Sequence, residues 1–145
     1  NTKMVKTTLR GAEMCLIMAE SYAQMDDTRN ALQYLNHLRA NRISDYAPYT
    51  EHNLPGIDAS ALVKVDAHGK TLTPLISAIL NERRKELYLE FDRWYELKRN
   101  GSPVMWWGYN GVKFETPKFM YVFPIPRTDM ALNPGLIQNP GYEEL

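Results

Sequence analysis

One stretch, Thr73 to Gly101, carries a helix start, a helix stop and an apolar stripe between them. Thr73 is a natural cap, and Pro74 suits the first helical position because its φ is preset and its missing N–H would have no partner there. Asn100-Gly101 is the stop, with Lys98 and Arg99 near the negative end of the helix dipole. The spacing predicts one helix from Pro74 to about Arg99, with Ile76, Leu80, Leu87, Phe91 and Trp94 along one stripe. A helix of that length in a chain of 145 residues leaves room for one core and a mainly α class. Arg83 and Glu90 fall inside the stripe rather than opposite it. A charge on a buried stripe is expensive unless paired, so both are expected to be structural locks to loops or to the tail. Trp94 is expected in the core.

A second helical signal runs from about Thr7 to Met25. Leu9, Ala12, Cys15, Leu16, Ala19 and Ala23 fall on one stripe, and Met14, Ile17 and Met18 on the opposite side. A helix apolar on two faces sits between neighbours. Asp27 or Thr28 can cap a following helix that runs to about Asn41, with Ala31, Leu32, Leu35 and Leu38 facing inward. The pair reads as a helical hairpin resembling one unit of a tetratricopeptide array, and no sister unit follows in the sequence.

Residues 43–72 read as a long irregular region, with a small hairpin around Val63 to Gly69. Residues 102–145 read as a hairpin followed by an extended strap. Asn110-Gly111 between apolar runs is a strong two-residue turn signal, and Pro124, Pro126, Pro134 and Pro140 disfavour regular structure beyond Tyr121. The expected organisation is therefore 1–42 helical hairpin, 43–72 loop region, 73–101 long helix, 102–145 hairpin and Pro-rich tail.

The chemistry-bearing residues exclude more than they offer. Lys plus Arg balances Asp plus Glu at 17 each, so there is no general electrostatic footprint for nucleic acid. Cys15 is the sole cysteine and reads as a small buried hydrophobe. His37, His52 and His68 have no metal-ligand spacing, and neither a metal nor another cofactor is expected. Glu82, Glu86 and Glu90 tempt a two-carboxylate glycosidase reading, but acids along one helix face leave no room for a substrate between them. Neighbouring Arg83, Arg84, Lys85 and Arg93 favour ion pairing instead. Asn100-Gly101-Ser102 matches a glycosylation sequon, which overlaps the helix stop and reads as a chance match. Tyr46, Tyr49, Trp106, Trp107 and Tyr109 remain as candidate ligand-binding residues, because aromatic faces suit sugar rings and peptide side chains. Period-two geometry on a hairpin predicts that one of Trp106 and Trp107 faces the core.

Three segments carry a family resemblance. Asn81 to Leu87 leading into Glu90-Phe91-Asp92-Arg93-Trp94-Tyr95-Glu96-Leu97-Lys98-Arg99-Asn100-Gly101 resembles the signature helix of the SusD/RagB family. Phe123-Pro124-Ile125-Pro126, Leu132-Asn133-Pro134 and Gln138-Asn139-Pro140-Gly141-Tyr142 resemble its C-terminal signature. Leu9 to Glu13 and Ala19 to Ala23 fit its last helical hairpin. The departure is Phe91, where many members have glycine. The resemblance implies the C-terminal part of a mainly helical, non-catalytic nutrient-binding protein, lipid-anchored on the cell-surface side of the outer membrane. It implies oligosaccharide or oligopeptide cargo, a SusC/RagA-like TonB-dependent transporter as partner, and membrane contact only through an N-terminal lipid anchor outside this chain. The chain opens on Asn1 rather than Met, and targeting information is expected upstream. The rival readings are a tetratricopeptide-like interaction adaptor and, further off, a glycan-active enzyme.

Overall fold

The computed structural model describes residues 10–143. The chain is mainly α-helical, with one two-stranded antiparallel ribbon. Helix α1 spans Gly11–Gln24 and α2 spans Thr28–Ala40. The expected start of α1 near Thr7, and Leu9 with it, lies outside the described residues. Asp27 caps α2, accepting from the Asn30 N–H at 3.1 Å. The small residues Ala19 and Ala31 let the two helices approach, and both are fully buried with Leu32 and Leu35.

No second hairpin is needed to close this face. Helix α3, Pro74–Glu86, lays Leu75, Ala78 and Ile79 against α1 and α2. Thr73 caps it as expected, accepting from the Ile76 N–H at 3.2 Å. The other apolar side of α1 stays open, with Met14 and Ile17 exposed.

The single long helix expected up to Arg99 is two helices. α3 ends at Glu86, and α4 runs over Asp92–Arg99. Between them Leu89 and Phe91 adopt positive φ, 62° and 64°. Phe91 therefore leaves the stripe and points into solvent, while Ile76, Leu80 and Leu97 stay in a second core with Val63, Leu72 and Tyr121. The stripe pattern is blind to such a break because residues on either side still bury the same face. Gly101 stops α4 at φ 90°, and a Cβ there would lie 2.6 Å from Val65, so the stop and its packing both require glycine.

The small hairpin expected around Val63 to Gly69 shrinks to one bridge, Val65 to Thr71. Asp66 organises its turn, accepting from the His68 and Lys70 N–H groups, both at 2.9 Å. Strand β1, Met105–Tyr109, pairs with β2, Val112–Thr116, through an Asn110-Gly111 turn with both residues at positive φ.

The tail departs from a plain extended strap. A 3-10 turn at Lys118–Tyr121 and a short helix α5, Arg127–Leu132, interrupt it. Pro126 has φ preset for entry into α5, and Asn133-Pro134 ends it. The strap is pinned by side chains. Gln138 accepts from the Ile125 N–H at 2.8 Å and donates to the Ile125 carbonyl at 3.0 Å, replacing a missing strand partner. Asn139 donates to the Phe123 carbonyl at 2.7 Å, and the Tyr142 hydroxyl to the Val122 carbonyl at 3.0 Å. The two halves of the C-terminal motif thus bind each other.

Candidate functional site

The ribbon sorts its side chains by face. Directly paired residues share a face, and pairing runs Met105 with Thr116, Trp107 with Phe114 and Tyr109 with Val112. That face is aromatic and apolar from Met105 to Tyr109, with Thr116 its one polar residue. Trp107 and Phe114 stack with ring centroids 4.6 Å apart. The other face carries Trp106, Gly108, Lys113 and Glu115. Lys113 ion-pairs with Glu115 at 2.8 Å and lies 5.7 Å above the Trp106 ring, a cation–π arrangement.

Neither tryptophan is core, against the expectation for the pair. Trp106 is 69% and Trp107 53% exposed, and Tyr109, Val112 and Phe114 are exposed as well. Alternation still holds, but the ribbon extends clear of both cores, so both of its faces meet solvent. Only Met105, at its base, packs against the second core. Trp107 and Tyr109 therefore make one platform with Val112 and Phe114, and Trp106 points away from it. Sequence reasoning missed Phe114 and Val112. The signal was available: a two-residue turn fixes the register, which puts Phe114 opposite Trp107.

Tyr46 and Tyr49 are elsewhere and otherwise engaged. The Arg39 guanidinium lies 3.4 Å from the Tyr49 ring centroid and 5.7 Å from that of Tyr46. Arg39 is buried and donates to the Ala47 carbonyl at 2.9 Å. Asn36 donates to the Tyr49 carbonyl and accepts from its N–H, both at 2.8 Å. This holds the loop against the first core, with Tyr49 packed on it. The structure thus gathers Trp107 and Tyr109 into one surface and assigns Tyr46 and Tyr49 to a loop clamp.

The acidic run on α3 and the break after it is occupied by arginines and lysine. Glu86 accepts from Arg42 at 2.8 and 2.9 Å and also from Arg10. The Arg42 hydrogen bonds hold its carboxyl below the usual range. Glu90 pairs with Arg10, and Glu82 with Lys85 at 2.8 Å. Glu90 is half-buried rather than buried, because it sits in the break where the stripe turns outward. Arg83 is buried and gives Asp92 two hydrogen bonds. Trp94 is partly buried and stacks on Tyr121 at 4.6 Å. It borders the second core rather than filling it.

Glu96, next to Trp94's helical neighbours, is the least solvated acid of the set. One carboxylate oxygen pairs with Arg93, and the other is buried without a partner among the described residues. Burial pushes its carboxyl above the usual range.

Fold and tail together define the class: a helical-hairpin scaffold of the tetratricopeptide-like kind, followed by a Pro-rich tail whose own side chains tie its two halves together. The SusD family model matches residues 1–142, and the chain belongs to the SusD family. A curated relative, SusD-like protein P2 of Formosa agariphila, is 30% identical over 140 residues. The aligned region covers 92% of this chain and 25% of the relative, so the chain spans about a quarter of that protein's length. No helix among the described residues is long and apolar enough to cross a membrane.

Proposed function

We propose that this chain belongs to a non-catalytic nutrient-binding protein on the cell-surface side of the outer membrane. It captures oligosaccharide or oligopeptide cargo and passes it to a SusC/RagA-like TonB-dependent transporter. Membrane contact is through a lipid anchor outside the chain. The observation that carries this reading is an exposed aromatic platform, Trp107, Tyr109 and Phe114, on a chain of the SusD family. Aromatic rings offer apolar area at small entropic cost and, in tyrosine and tryptophan, a polar edge. Both properties suit sugar faces and peptide side chains. Glu82, Glu86 and Glu90, the acids nearest to a hydrolytic arrangement in sequence, are all engaged in ion pairs, which supports a binding role over hydrolysis.

The test is titration of the gene-encoded protein with soluble polysaccharides and peptides by calorimetry. Loss of one well-used aromatic contact costs about 1–3 kcal/mol, or about five- to 150-fold in Kd. Trp107→Ala and Tyr109→Ala should show that loss with an unchanged unfolding midpoint, and Trp106→Ala should show less. Unaltered affinity in both platform variants would remove the ribbon from the cargo site. Products released from the same libraries would replace the binding reading with an enzymatic one.

A further inference from the structure

The chain holds two Asn-Gly dipeptides, Asn100-Gly101 and Asn110-Gly111. An asparagine before glycine is open to attack on its own side-chain amide by the next backbone nitrogen, because glycine has no Cβ to hinder ring closure. The fold treats the two in opposite ways. Asn100 is 1% exposed, and its Nδ2 donates to the Glu96 carbonyl at 2.9 Å. It caps the C-terminal end of α4, and Gly101 is packed so closely that a Cβ there would lie 2.6 Å from Val65. Turning the Asn100 amide towards the Gly101 nitrogen would break that hydrogen bond and unpack the end of the helix.

Asn110-Gly111 is the tip of the ribbon. Both residues are exposed, both hold positive φ, 49° and 76°, and a Cβ on Gly111 would meet nothing within 4 Å. The ribbon stands clear of both cores, with Met105 at its base packed against one of them. A lone two-stranded ribbon is marginally stable by itself. Rotation about the Asn110 backbone therefore needs only local opening of the turn, whereas the same rotation at Asn100 needs the end of α4 to open.

We propose that Asn110 is a deamidation site at which the ribbon ages, and that the fold shields Asn100 from the same reaction. The Gly111 backbone nitrogen attacks Asn110 Cγ. An N–Cγ bond forms, the nitrogen gives up its proton, and the Cγ–Nδ2 bond breaks to release ammonia. The cyclic imide left behind takes up one water from solvent. Opening at Cγ gives aspartate, and opening at the main-chain carbonyl gives isoaspartate, whose backbone runs through the side-chain carbon. Nothing is oxidised or reduced. Either product adds a negative charge next to Tyr109, and isoaspartate also lengthens the turn by one carbon. A two-residue turn fixes the register that pairs Trp107 with Phe114, so the longer turn weakens that stack. The chemistry is independent of what the ribbon binds.

The test is timed incubation of the unsubstituted gene-encoded protein at mildly alkaline pH, followed by peptide mapping and enzymatic methylation of isoaspartate. Asn110 should convert at least about tenfold faster than Asn100, the ratio that about 1.4 kcal/mol of extra opening free energy supplies. In concentrated urea the two should convert at similar rates, because the fold no longer separates them. The isoaspartate fraction, resolved by anion exchange, should lose the near-ultraviolet circular dichroism that Trp107→Ala also removes. Asn110→Gln should keep that signal throughout the incubation, because its side chain must close a larger ring. Equal rates at the two sites in the native protein, or an intact Asn110 after the urea sample has reacted, overturns the proposal. A ratio in urea as large as the native one overturns it too, since sequence and not fold would then set the difference. An unchanged ribbon signal in the isoaspartate fraction overturns the effect on the stack.

Discussion

Arg83 and Asp92 are nine positions apart, on opposite sides of the helix break. Arg83 Nε donates to Asp92 Oδ2 at 2.9 Å and Nη2 to Oδ1 at 2.6 Å. The bidentate geometry holds α4 to α3 where the backbone hydrogen bonds stop. Glu13 of α1 adds a third contact at 3.5 Å. Arg83 thus ties three helices together from a buried position. Arg83→Ala leaves Asp92 stranded and is expected to cost about 3–5 kcal/mol. Arg83→Lys should recover only part of that, since a lysine cannot make the fork. Chemical denaturation measures both, and an unchanged midpoint in the alanine variant would show that the clamp is idle.

Phe91 holds a φ of 64°, in the left-handed region that favours glycine. The left-handed conformation is strained for phenylalanine and free for glycine. Phe91→Gly should stabilise the isolated 145-residue chain by about 0.5–1 kcal/mol, once glycine's greater unfolded-state freedom is subtracted. A lower midpoint in thermal unfolding would mean that the Phe91 ring contributes more than its backbone strain costs.

Trp94 stacks on Tyr121, whose hydroxyl donates to the Pro103 carbonyl at 2.9 Å. The pair joins α4 to the start of the strap. Because Trp94 is only partly buried, Trp94→Ala should cost about 2 kcal/mol, short of the roughly 3–5 typical of a filled core site. Urea titration reads the difference, and the loss of Tyr121 ordering should accompany it in the aromatic circular dichroism.

The legible parts of the sequence were those with local chemical causes. Asp27, Thr73, Asn110-Gly111 and Gly101 each specify a cap, a turn or a stop through their own backbone needs, and the structure uses each that way. The helix break was hidden because Leu87 and Leu97 keep the core face continuous on both sides of it. The ribbon's exposure was hidden for a different reason. Alternation says which side chains share a face, but not whether a layer exists to cover that face. The contact of Tyr46 and Tyr49 with Arg39 was hidden because Arg39 is an inward-facing arginine on another element, and the pairing is visible only in three dimensions. Gln138 and Ile125 are thirteen residues apart, so the link between the two halves of the tail motif had no periodicity to announce it.

Burial raises the Glu96 carboxyl, while hydrogen bonds from Arg42 lower that of Glu86. The two act in opposite senses. The Glu86 contribution is present above the ordinary carboxylate pKa of about 4.3 and is lost on acidification. The folded protein holds the Glu96 proton more tightly than the unfolded chain does. Its contribution is therefore complete below that ordinary pKa and is lost as pH rises through the elevated one. Above that point a carboxylate with one unpartnered oxygen is confined in the core, a costly arrangement. Glu96→Gln keeps the shape and removes the charge. The stability of this variant relative to the parent should rise steadily from about pH 4 towards neutrality, while the parent's own acid limb, set by groups such as Glu86, stays in both. Midpoints of urea unfolding collected from pH 3.5 to 8 give the difference directly. A difference that is flat with pH, or that shrinks as pH rises, would show that the Arg93 pair, and not burial, governs Glu96.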